Sequence, residues 1–137
     1  MIGESKMPQN TTNTKKIPKY TKEYVQGKVR AAFDNAFNAA EDYLKENKEG
    51  FLNCGFAWVT VSPARGVLVN VLKETYAVRS GQSYGSCGER VAGITVWNPA
   101  ANGTQDMTAK EVGCAGFIEV LKEAFPEYTF RIHTRLD

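Results

Sequence analysis

Apolar side chains recur on two different periods along this chain, and the changes of period divide it into elements. Between residues 21 and 47 apolar residues fall on one stripe at Val25, Val29, Ala32, Phe33, Ala36, Phe37, Ala40, Tyr43 and Leu44. That 3.6-residue stripe predicts a long amphipathic helix. Thr21 is placed to cap its start, and Gly50 lies just past its end. Such a helix is ~40 Å long at 1.5 Å per residue. A domain of this size has a radius of gyration of only about 14 Å. The helix must therefore span the whole domain, bend near Gly27, or project so that Val25 and Val29 meet a partner chain.

Residues 54–61 are apolar at both odd and even positions, which predicts a central strand buried on two faces. Ser62 and Pro63 then read as an N-cap and first helical residue, with Val67, Leu68, Val71 and Leu72 on one face of a helix over 63–74. The same short apolar run could also make a strand. Residues 79–90 carry Gly81, Gly85 and Gly88 around Tyr84 and read as a loop whose glycines permit close approach to a ligand. A further strand is expected over 91–97, ended by Asn98 and Pro99. After a polar loop, Thr108 and Glu111 form a capping box, with Met107 and Val112 as its hydrophobic staple. That helix runs to about Phe125, before Pro126. Val112, Gly116, Phe117, Val120, Leu121 and Ala124 make its buried stripe, and Ala109, Gly113, Ala115 and Gly116 keep it thin for close packing on a sheet. The last segment, 128–135, alternates strictly. Tyr128, Phe130 and Ile132 point to a core, and Thr129, Arg131, His133 and Arg135 point the other way. The expected fold is a small single α+β domain, residues 20–137, in which a long N-terminal helix and a C-terminal helix pack on a mixed or antiparallel sheet. A flexible basic arm, residues 1–19, precedes it.

Composition narrows the function classes. A chain of 137 residues with 42% hydrophobic content supports one core. A net charge of +2 is not the polybasic signature of a protein that holds nucleic acid by phosphate neutralisation, so nucleic acid is an unlikely partner. Cys54, Cys87 and Cys114 form no CxxC pair. With no leader segment and no apolar run of membrane length read, they fit a reducing cytoplasm and no membrane. His133 is the only histidine and lies between two arginines, which disfavour its imidazolium. No zinc ligand set, Walker loop, nucleophile elbow or carboxylate pair is present, so no cofactor, no metal and no catalytic residues are expected.

The candidate chemistry is ligand binding. Arg131, His133 and Arg135 form a cationic stripe roughly 13 Å long, with guanidiniums that can fork onto phosphate. Tyr84 and Trp97 offer rings to stack on a base. The 98–106 loop, with Asn98 and Asn102, delivers the chain to a helix N-terminus, whose amides favour an anion. Asp106 opposes an anion there. Arg65 is expected in the first turn of the second helix, near the end of the first strand. The alternative for the stripe is a solvated face of an edge strand.

The long helix before Asn53-Cys54-Gly55-Phe56-Ala57-Trp58-Val59, the strand ending in Trp97, the segment from Gly103 to Lys110 and the terminal Arg135-Leu136-Asp137 resemble the first Thoeris anti-defence protein family of phages. The resemblance covers residues 24–137. It implies a sponge that binds a cyclic ADP-ribose isomer made by a bacterial immune sensor, sequesters it without cleaving it, and works in the host cytoplasm as a homo-oligomer. It implies a ligand set of an aromatic, an asparagine and arginines, offered here by Tyr84 or Trp97, Asn98 or Asn102, and Arg65, Arg131 or Arg135. The competing readings are a nucleic-acid-binding module that uses the lysine arm and the stripe, and a structural adaptor that docks a partner through the long helix.

Overall fold

A computed structural model of the chain describes residues 16–47 and 53–137. The arm expected over 1–19 lies outside these residues except at its end, where Ile17 packs on the core; Gly50 also lies outside. Helix α1, Lys22–Glu46, is continuous through Gly27, and the Thr21 side chain accepts the Tyr24 amide as its cap. Its N-terminal half packs on this chain's own core. Val25 and Val29 are 0% and 3% exposed, inside this chain's own core with Ala32, Ala36 and Ala40. The buried stripe is narrower than the sequence pattern, because Phe37 faces outward.

Helix α1 packs chiefly along α3, Met107–Ala124. A Cβ on Gly116 would lie 3.0 Å from the Asn35 carbonyl, and one on Gly113 would lie 2.5 Å from Ala100 Cβ. Gly116 therefore serves a close helix–helix crossing and Gly113 chiefly the approach of the 98–106 loop, with the Ala36 carbonyl of α1 at 3.3 Å, not the helix–sheet contact expected of them. Asn35 Nδ2 seals the crossing by donating to the Gly116 carbonyl at 2.8 Å. The other face of α3 rests on the sheet, with Phe117, Leu121 and Cys114 fully buried.

The sheet has four antiparallel strands in the order β2 (Val78–Arg79), β5 (Ile94–Trp97), β1 (Gly55–Ser62) and β6 (Thr129–Leu136). β1 is interior, as its two-sided apolar pattern requires. β6 is an edge strand. Its register with β1 sets Ile132 opposite Val59 and Phe130 opposite Val61 on the helix side, and Arg135, His133 and Arg131 opposite Phe56, Trp58 and Thr60 on the outer side.

Four local expectations are corrected. Ser62 does not cap a helix, because it is still paired in β1 opposite Thr129; α2 is only Val67–Lys73, with Gly66 at its N-cap. Arg65 therefore precedes that helix instead of opening it. The strand expected over 91–97 is two elements: Arg90–Val91 (β4) pairs with Ser83–Tyr84 (β3) in a separate hairpin inside the expected loop, and β5 begins at Ile94. Gly93 makes the break, with φ of 101° and no room for a Cβ, which would sit 2.2 Å from the Val61 carbonyl. Finally, α3 is capped two residues early. Asp106, not Thr108, is its N-cap and accepts the Thr108 amide at 3.0 Å. The backbone bridge between Cys54 and Asp106, and the bond from the Met107 amide to the Asn53 carbonyl, hold the chain so that the helix starts there.

Candidate functional site

The outer face of the sheet is aromatic and buried in its middle, and its arginines, Arg79, Arg131 and Arg135, are exposed. One side chain from each of the four strands joins a row that crosses it. His133 of β6 stacks on Trp58 of β1 (centroids 5.7 Å, interplanar 23°), Trp58 stacks on Trp97 of β5 (5.4 Å, 17°), and the Arg79 guanidinium of β2 lies over Trp97 at 5.0 Å. Cross-strand pairing produces the row directly, since Trp58 is opposite both Trp97 and His133. Phe56 extends the aromatic surface beside Trp97 at 5.7 Å, and Arg135 and Lys110 lie over its ring at 5.5 and 5.3 Å.

The β3–β4 hairpin covers the middle of this face. It shares no ladder with the four-stranded sheet and is attached by side chains. Trp58 Nε1 donates to the Tyr84 carbonyl at 2.8 Å, Thr95 Oγ1 donates to Ser83 Oγ at 2.7 Å, and the Thr134 amide donates to Ser86 Oγ at 3.0 Å. Under it, Thr60 Oγ1 and His133 Nε2 share a bond of 3.0 Å, so these buried polar groups are paired. Burial holds the His133 imidazole below the usual histidine range; Glu89 opposes this shift and Arg131 adds to it. The neutral ring expected from the flanking arginines is thus favoured mainly by desolvation.

Between hairpin and sheet a cleft of about 280 Å³ opens to solvent. Its floor is Trp58, Trp97 and Thr95, its wall is Gln82, Tyr84, Gly85 and Gly88, and Arg79 and Arg135 stand at its sides. Neither a carboxylate nor a lysine lines it. Such a space falls just below the usual range of small-molecule sites, about 300 to 1,000 Å³. It suits a flat ring with a neighbouring anionic group. A base stacked on an aromatic is worth about 1–3 kcal/mol, and an exposed guanidinium on an indole about 0.5–1 kcal/mol.

The structure brings Tyr84, Trp97 and Arg135 together in the cleft. His133 lies in the row beneath the hairpin, 8% exposed. Arg131 shares the face but lies beyond the cleft, opposite Thr60. Arg65 is outside it, past the far end of β1, where its carbonyl accepts the Tyr128 hydroxyl. Asn102 is also outside, tied to α1 through Glu41 and to its own loop through the Thr104 amide. Asn98 adjoins Trp97 with φ of 43° and its amide bonded to the Ala57 carbonyl; its Oδ1 is buried without a partner among the described residues. The helix N-terminus expected to receive an anion is filled by the Asp106 carboxylate. Sequence reasoning missed Trp58, Arg79, Gln82 and Thr95. The pairing of Trp58 with Trp97 and His133 was the signal, and it needs the register to be seen. Comparison with family models, curated proteins and solved structures finds no match for this chain. No helix of the described residues is long and apolar enough to cross a membrane.

Proposed function

We propose that this protein binds and sequesters a small nucleotide signal of the cyclic ADP-ribose type without cleaving it. The observation that carries the reading is the cleft, where Trp97 ends a row of stacked indoles and offers a ring to a base, and two arginines flank it with no carboxylate among the lining residues. Flat ring plus phosphate is the chemistry those groups recognise. The neighbouring titratable groups are occupied structurally, which supports binding over turnover. His133 Nε2 is engaged with Thr60, and the Glu89 carboxylate accepts the Cys87 amide. The resemblance to the phage anti-defence family narrows the ligand class to cyclic ADP-ribose isomers and extends the proposal to self-association. Calorimetric titration with such isomers tests the reading, followed by heat release of the ligand and mass analysis. The expected result is saturable binding and recovery of the intact cyclic molecule. A linear product would make the protein a hydrolase, and no heat with any isomer would remove the reading.

A further inference from the structure

We propose that Arg79 is a placeholder: its guanidinium holds the seat on Trp97 that the flat ring of the ligand takes, and then turns to the ligand's anionic group. The proposal rests on the binding function above and assigns the place of the ring within that cleft. The stacked row has two ends. At β6 it ends in His133, which is buried under the hairpin and bonded to Thr60. Between the indoles there is no room for another ring, because Trp58 and Trp97 already stack on each other. The row can be extended only at the β2 end, on Trp97, which is partly exposed and lines the cleft. Arg79 lies on that ring.

Arg79 is suited to move. It is exposed, sits on a two-residue edge strand, and has no ion-pair partner among the described residues. A guanidinium on an exposed indole is held less strongly than a stacked base, so a ring can displace it. Once displaced, its fork remains beside the cleft, able to bond a phosphate attached to the ring. One residue thus favours a ring that carries an anion over the same ring without one.

Two measurements test this. The first needs no ligand. In a Trp58→Phe background Trp97 is the sole indole, since the chain has two tryptophans. Removing Arg79 by Arg79→Ala should raise acrylamide quenching of Trp97 roughly twofold, because the guanidinium no longer shields the ring. Equal quenching with and without Arg79 overturns the placeholder, whatever the ligand proves to be. The second compares adenosine with ADP by calorimetry. In Arg79→Ala, ADP should weaken about tenfold, while adenosine should tighten about threefold as its seat is freed. Loss of both together would mean that Arg79 is part of the ring's own seat, and overturns the proposal. Exposure of Trp97 in the first measurement, combined with failure of cyclic ADP-ribose isomers to bind the unaltered protein, would locate the fault in the functional reading.

Discussion

On β1, Ala57, Val59 and Val61 face the helices, while Phe56, Trp58 and Thr60 face the hairpin. The same alternation runs through β5 and β6. The inner face is mostly aliphatic, with Phe130 at its β6 edge, and is covered by helices that cross closely at Gly116, where a Cβ would lie 3.0 Å from the Asn35 carbonyl. The outer face is aromatic and cationic, and its cover is a small hairpin attached by a few side-chain hydrogen bonds. One face stabilises the domain through buried area. The other gathers aromatic and cationic groups beneath a lightly attached cover.

The largest expected effect breaks the inner face. Phe117 is fully buried against Phe33, so Phe117→Ala should cost about 3–5 kcal/mol, read as a lowered urea midpoint. Trp97→Ala should cost clearly less stability yet abolish binding of cyclic ADP-ribose isomers; comparable stability losses would erase the distinction between the faces. Within the outer face, Arg135→Ala should weaken an anionic ligand by about 1.5–3 kcal/mol, with folding changed by no more than about 0.5 kcal/mol. Arg131→Ala should have the smaller effect on affinity, because it lies outside the cleft. Equal losses in calorimetry would place the ligand along β6 instead.

Acid should loosen the outer face first. The folded His133 value is depressed, so the unfolded chain takes up a proton more readily. The stability due to neutral His133 is complete above the unfolded value of about 6.5 and is lost as pH falls through the folded value. The urea midpoint should drop below that pH in the unaltered protein and less in His133→Gln. A midpoint that stays level from about pH 7.5 to 5.5 would contradict this. The smallest effect is chemical. Burial, with Glu111 adding to it, pushes the Cys114 thiol up to about 12, while Cys54 and Cys87 are exposed. A thiol reagent should modify two cysteines of the folded protein and three after denaturation, counted by intact mass.

The long helix, the interior strand and the alternation of β6 were legible because each extends over enough residues for its period to show. Of the positions the stripe named, Val25, Val29, Ala32, Phe33, Ala36 and Ala40 join the core, while Phe37 faces outward and Tyr43 and Leu44 are only partly buried. Strands of two residues have no period, so β2, β3 and β4 were hidden in a loop, and Arg79 with them. Trp58 was hidden for another reason: an indole on a strand apolar on both faces reads as core whichever way it points. Thr108 and Asp106 are both competent caps, and the choice fell to a backbone bridge made by residues fifty positions away. Arg65 and Asn102 are separated from the cleft by topology, which residue type cannot report.

The row of His133, Trp58, Trp97 and Arg79 takes one member from every strand of the sheet. A slip of one residue in β6 would turn His133 and Arg135 to the opposite face. The cleft is therefore complete only in a chain whose four strands are all docked in register. If the proposed ligand binds there, its uptake should report correct folding, and it should hold the β2 and β6 edges, which supply Arg79 and Arg135, against fraying.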